Sequence, residues 1–254
     1  MTTVLYEKHD QIAYITLNRP DSLNAINDDL AEGLTKALED YRDDPSLLVA
    51  IISGEGRAFS AGADLKEMSS KGQAGGDRDV THQFPLGLKV WKPIIAAIDG
   101  YALAGGFLLS LQCDIRIATE RSKMGIVVTR IGTIGEEALL NLARMIPVGE
   151  ALYLFLTGTQ IDAYEAHRIG LVHKVLPDKK ALMEEATVIA EEIKLAAPLA
   201  NQAARRLIYT SMSESPEEIL KLAHRLKEEL GKTEDAKEGP RAFAEKRKPM
   251  WKMR

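Results

Sequence analysis

The chain has 254 residues, 45% hydrophobic and 28% charged, the balance of a soluble globular protein with one large core, or a core plus a small appendage. A net charge of -4 offers no basic field for nucleic acid or an anionic membrane surface. Cys113 is the only cysteine, so it has no disulfide partner within the chain and suits a buried thiol in a reducing compartment.

In chain order, Val4 to Tyr6 and Ile12 to Leu17 read as strands around the polar turn EKHDQ. This start lacks a secretory pattern. The longest apolar run, Pro93 to Ala118, is broken by Asp99, Gly100, Gly105, Gly106 and Asp114 and cannot span a bilayer. The expected location is therefore cytoplasmic, with no membrane partner. Leu30, Leu34, Ala37, Leu38 and Tyr41 predict a helix over Asn27 to Tyr41. Leu47 to Ser53 is a nearly continuous apolar strand, followed by the glycine-rich GEGRAFSAGAD, then LKEM, then the polar loop SSKGQAGGDRD. That loop lacks periodicity and is expected to be exposed and mobile. Val80 to Val90 has helical spacing. Ile94 to Ile98 and Ile115 to Ala118 read as buried strands, with FLLSLQC as a buried helix between them. Helical patterns cover Glu136 to Arg144 and Val148 to Leu156. A polar turn and a short helix fall within Thr157 to Ile169, and Leu171 to Val175 is strand-like. This alternation of short strands and helices predicts a layered α/β core. Beyond Lys179 the chain is strand-free, with helices over Lys179 to Ala197, Pro198 to Ser211 and Pro216 to Gly231. This part is either a small helical domain or a lid. The tail after Pro240 has six Lys or Arg against one Glu and reads as a solvated surface or a subunit contact.

Two turns draw attention as chemistry. AFSAGADL, Ala58 to Leu65, and GYALAGG, leading into the helix of FLLSLQC, place small residues after strands. Small residues let a backbone approach a ligand closely. Gly105 and Gly106 would start a helix, where free N–H groups stabilise negative charge on an oxygen. One donor from each turn would make an oxyanion hole. The competing reading is that the glycines only permit tight turns and close packing. The sequence contains no GxxxxGK[ST], no GxGxxG after a strand, no HExxH and no GxSxG. The five histidines show no metal-ligand spacing, and only His82, beside the polar loop, invites a minor catalytic reading.

ITLNRPDSLNAIN, AFSAGADLKEM, KPIIAAIDGYALAGG with CDIRIA, LTGTQIDAYEAHRIGLVHKVLP and AFAEKRKPMW stand in register along the whole chain. Together they resemble the enoyl-CoA hydratase/isomerase (crotonase) superfamily. The resemblance implies an α/β spiral of ββα units over residues 1–195 that binds acyl-CoA. It implies a C-terminal helical part, residues 196–254, for trimerisation or as a lid. It also implies an acyl-CoA thioester substrate, assembly as a homotrimer or hexamer, no metal, and no cofactor beyond the coenzyme A of the substrate. By position, the N–H groups of Ala63 and Gly105 match the family's oxyanion hole. Ala61, Gly62, Ala63, Asp64 and Leu65 would lie along the coenzyme A, with Asp64 ordering its own loop.

The resemblance also exposes a departure. Two positions where family hydratases carry glutamate are Leu108 and Val128 here, and neither side chain can activate water or move a proton. In MGIVVTRIGTIGEE, Glu136 falls four residues after Gly132, where some isomerases of the superfamily place their single base. Glu136 is the candidate base, and Glu137 a weaker one. Both could instead be first-turn helix residues favoured by the helix dipole. Leu108 and Val128, with Phe107, would form an apolar acyl pocket. Arg130 beside them would pair with Glu136 or recognise a polar acyl group. The expected reaction is transfer of a double bond from C3 to C2 of an enoyl-CoA. Hydration or a related lyase reaction with non-standard residues, and acyl-CoA binding without catalysis, are the alternatives.

Overall fold

The computed structural model describes residues 2–72 and 84–254, and within them all side chains except those of 136–140. The chain opens with β1 (Val4–His9) and β2 (Ile12–Leu17), an antiparallel pair in which His9 lies opposite Ile12. Asp10 and Gln11, both at positive φ, make the turn. The turn is thus tighter than the five residues of EKHDQ suggested, because a two-residue hairpin with left-handed dihedrals matches the strand twist.

After α1 (Asp28–Asp43), one pattern recurs. β3 (Val49–Gly54), β4 (Ala58–Ser60) and α2 (Leu65–Ser70) form the first repeat. β5 (Ile94–Ile98), β6 (Tyr101–Leu103) and α3 (Gly105–Leu111) form the second. β7 (Ile115–Thr119), β8 (Lys123–Gly125) and α4 (Glu136–Met145) form the third, with a 3-10 turn over Val128–Ile131 before α4. The first strand of each repeat enters one sheet, of order β1-β2-β3-β5-β7-β10, and the second enters another, of order β4-β6-β8-β9. The strands of successive repeats pair in parallel in both sheets. A strand switch followed by a helix at every turn winds the chain into a spiral. α5 (Val148–Thr157), β9 (Ile161–Asp162), α6 (Ala163–Arg168) and β10 (Lys174–Leu176) close it, followed by α7 (Lys179–Leu195), α8 (Pro198–Ser211), α9 (Pro216–Gly231) and α10 (Asp235–Ala244).

Side-chain alternation divides the core. Ala50, Ile52, Ala96 and Ile98 point into the main cluster with Leu34, Phe59 and Phe107, whereas Val49, Ile51, Ile95 and Ala97 face the other way. There they meet Leu182, Ala186 and Ala190 of α7. β3 and β5 are covered on both faces, which is why their sequences are apolar without alternation. α8 and α9 share a smaller cluster of Ala203, Leu222 and Leu226. Arg205 of α8 ties them back to the core by donating to Asp114 at 2.6 Å and to the carbonyl of Gln112 at 3.2 Å. Among the described residues, no helix is long and apolar enough to cross a membrane.

Some expectations need correction. Residues 84–90, within the predicted Val80–Val90 helix, form turns with Lys89 at φ 53°. Pro85 lacks the N–H that a continuing helix needs, and the left-handed Lys89 stops the run. Residues 80–83, with His82, lie outside the described residues, as does most of the polar loop. The strand expected from Leu171 begins at Lys174, because the N–H groups of Leu171 and Val172 both go to the carbonyl of Ala166. The tail read as a solvated surface or a subunit contact is mostly exposed, and its first residues belong to α10, which runs through Pro240 to Ala244.

Candidate active site

Two turns that are distant in sequence are pressed together. Gly62 has φ +91°, and a methyl group on it would lie 2.8 Å from both the Ala104 Cβ and the Leu103 carbonyl oxygen. A methyl on Gly106 would lie 2.3 Å from the Ser60 carbonyl oxygen. Only glycine allows the first turn to touch the second, and only glycine lets α3 seat on β4. Ala104, between β6 and α3, holds φ 47° and ψ -120°, an unfavourable conformation for a residue with a Cβ. Its N–H to Gly125 (3.0 Å) and its carbonyl from Leu108 N–H (2.9 Å) hold it there. Backbone strain of this kind persists where the surroundings over-determine it, commonly at functional sites.

The result is a pair of donors. Ile26 bonds to both neighbours of Ala63, donating to the Gly62 carbonyl at 2.7 Å and accepting from Asp64 N–H at 3.1 Å. The Ala63 N–H is thereby left out of the bridge. Gly105 is the first residue of α3, so its N–H has no partner within the helix. Among the described hydrogen bonds, neither N–H has an acceptor. A methyl built on Gly105 would sit 3.7 Å from the Ala63 nitrogen, so the two turns meet around one small gap. An oxygen with growing negative charge is the species such fixed donors favour.

Asp64 organises the first turn. It caps α2 by accepting from the N–H groups of Lys66 (3.2 Å) and Glu67 (3.3 Å), and it accepts from Arg19 at 3.0 Å. Burial alone would raise its carboxyl, but the Glu67 N–H and the Arg19 guanidinium outweigh this and hold it below the usual carboxylate range. Sequence reasoning missed Arg19 and Asn24. Asn24 is fully buried and accepts from Arg19 N–H at 2.7 Å while donating to the carbonyls of Glu55 and Ala58 at 2.9 and 2.7 Å. The only local signal was an asparagine in a turn, where its φ of 53° is tolerated. Ala61 is half-buried, Gly62 buried and Leu65 55% exposed.

Leu108 is buried one turn into α3, and half-buried Val128 packs against the same apolar cluster, which includes Phe107. Gly135, the residue before α4, lies beside Val128: a methyl on it would be 3.2 Å from the Val128 Cγ2. Glu136 is the first residue of α4 and Glu137 the second; their side chains lie outside the described ones. Arg130 is exposed, and its Nε and Nη2 both donate to the Thr157 carbonyl oxygen at 3.1 Å. His167 is engaged with the Val172 carbonyl at 2.8 Å.

A spiral of ββα repeats, with two turns pressed together at the start of α3, defines the crotonase fold. The family model described as enoyl-CoA hydratase/isomerase matches residues 7–254. A probable mitochondrial enoyl-CoA hydratase from Dictyostelium discoideum is 38% identical, over 96% of this chain and 89% of its own length. The (E)-benzylidenesuccinyl-CoA hydratase of Thauera aromatica is 36% identical, over 98% of both. The crystal structure of an enoyl-CoA hydratase from Mycobacterium tuberculosis H37Rv superposes with a TM-score of 0.90 at 37% identity, covering 99% of each chain. The chain belongs to the enoyl-CoA hydratase/isomerase family.

Proposed function

We propose that this protein is an acyl-CoA-processing enzyme that stabilises a thioester enolate and moves a double bond from C3 to C2 of an enoyl-CoA. The Ala63 and Gly105 N–H groups receive the thioester oxygen, with Ala61 to Leu65 along the coenzyme A. Glu136 removes a proton from C2. The electron pair spreads through the C3–C4 double bond and the carbonyl as a dienolate whose charge rests on the two donors. Protonated Glu136 then delivers the proton to C4, leaving the double bond between C2 and C3 and the base restored. One carboxylate suffices because the same proton leaves and returns.

The observation that supports this reading is the pair of N–H groups, Ala63 and Gly105, without an acceptor among the described hydrogen bonds, together with the apolar Leu108 and Val128 at the two positions where family hydratases carry glutamate. An apolar wall disfavours bound water and so favours proton return over hydration. Glu136→Gln should lower turnover of a 3-enoyl-CoA by roughly 10²- to 10⁴-fold, the scale of a positioned acid–base group. Acyl-CoA affinity should stay near the parent's and Glu137→Gln should be mild. Parent-like turnover in Glu136→Gln would reject this base. A second reading, hydration of a 2-enoyl-CoA, is favoured by the hydratase names of the relatives; release of a 3-hydroxyacyl-CoA from a 2-enoyl-CoA would select it.

Residues 196–254 are proposed as a trimerisation or lid region in a homotrimer or hexamer, working in the cytoplasm. Ile208, Leu220 and Phe243 on α8, α9 and α10 are 59, 57 and 87% exposed, which supports an apolar contact between subunits.

A further inference from the structure

We infer that Arg130 is a positioning residue: it braces the turn that leads into α4 against the end of α5, and so holds the N-terminus of α4 at the acyl pocket. The inference rests on the reading of Glu136 as the base. Arg130 lies in the 3-10 turn Val128–Ile131, and its guanidinium donates twice to one acceptor, the Thr157 carbonyl, at 3.1 and 3.1 Å. Thr157 is the last residue of α5. A cation is favoured at a helix C-terminus, where carbonyls lack intrahelical partners.

The contact is also close packed. A methyl on Gly158 would lie 2.9 Å from the Arg130 Cγ and 3.0 Å from the Thr129 Oγ1, so the turn rests directly on the residue that ends α5. From there the contacts continue inward. Thr133 N–H bonds back to the Val128 carbonyl at 3.3 Å, and a methyl on Gly135 would lie 3.2 Å from the Val128 Cγ2, so the two residues are close neighbours. The next residue is Glu136. The path therefore runs from α5 through Arg130, Val128 and Gly135 to the start of α4. Loosening its outer end frees a segment whose described backbone bonds are long: Arg130 N–H to Val127 at 3.2 Å, and Gly132 and Thr133 N–H to Thr129 and Val128 at 3.3 Å.

Arg130 is exposed, so replacing it leaves the core intact. In Arg130→Met, kcat for a 3-enoyl-CoA should fall roughly 10- to 100-fold, the scale at which small misplacement of a reacting group is felt. KM should stay within about twofold. Arg130→Lys, which keeps the charge but not the double donation, should fall in between. Hydrogen exchange of the amides of residues 132–137 should speed up in Arg130→Met and less in Arg130→Lys. Unchanged exchange in Arg130→Met overturns the brace, and a raised KM at parent kcat overturns it in favour of direct recognition of the acyl group. A fully active Glu136→Gln variant instead overturns the assignment of the base; the exchange data decide the brace by themselves.

Discussion

At the scale of single residues, Gly105 and Gly106 are neighbours with opposite demands. A methyl on Gly105 meets nothing nearer than 3.6 Å, the Ile26 Cδ1, with Ala63 N and Gly62 Cα at 3.7 Å. These are ordinary contacts, so Gly105→Ala should fold. The methyl would nonetheless come within van der Waals reach of the Ala63 nitrogen, beside the proposed oxyanion position. A methyl on Gly106 would collide with Ser60 at 2.3 and 2.7 Å, forcing α3 off β4 at a cost on the order of 1–3 kcal/mol or more. Calorimetry with acetyl-CoA and longer acyl-CoAs, beside thermal melts, should separate them: Gly105→Ala loses affinity or turnover with Tm near the parent's, and Gly106→Ala loses Tm. A Gly105→Ala variant with full binding and turnover would argue against an oxyanion at that position.

At the scale of elements, α10 and the tail behave as a clasp. Glu238 accepts from Arg247 at 2.6 and 3.0 Å and from Met250 N–H at 2.8 Å, and Asp235 accepts from the N–H groups of Lys252 (2.7 Å) and Met253 (3.0 Å). Trp251 then reaches the Leu195 carbonyl at 3.1 Å, closing the tail on the end of α7. Bonds from Arg247, Met250 N–H and Arg241 hold the Glu238 carboxyl well below the usual carboxylate range. A depressed acid stabilises the folded form fully above its unfolded pKa, about 4.3 for Glu, and that stabilisation is lost as pH falls toward the folded value. In a Trp91→Phe background, Trp251 emission should shift to the red as pH falls below about 4, before helicity is lost. Glu238→Gln should give the same shift at pH 7. Emission that changes only with global unfolding would count against the clasp.

For the whole molecule, the exposed Ile208, Leu220 and Phe243 are spread over three helices of the C-terminal part. Apolar surface of that kind is costly in water and is removed when copies associate. Sedimentation of a dilute sample should show three or six chains, and a concentration-independent monomer would remove the proposed assembly. Association would leave the pressed turns intact, since Gly62, Ala104 and Gly106 make their contacts within one chain.

Much of this architecture was legible before any coordinates. Continuous apolar runs at Leu47–Ser53 and Ile94–Ile98 signalled strands buried on both faces, and the 3.6-residue spacing of Leu30 to Tyr41 signalled α1, whose Asn27 cap accepts from Leu30 N–H at 3.0 Å. The in-register motifs carried the family. The three-residue strands β4, β6 and β8 left no readable period, because so few side chains cannot establish an alternation. α10 was hidden by Pro240, a residue that ordinarily breaks a helix. The identity of Ala63 and Gly105 as small residues after strands is a local property, written in the chain. Their partnership is not local: it arises only where Gly62 meets Ala104 and Gly106 meets Ser60, contacts between turns separated by the second repeat's strands. The same holds for Arg130, whose acceptor is a backbone carbonyl on α5. A carbonyl is common to every residue and leaves no mark in a sequence, so only the tertiary structure could decide what that side chain holds.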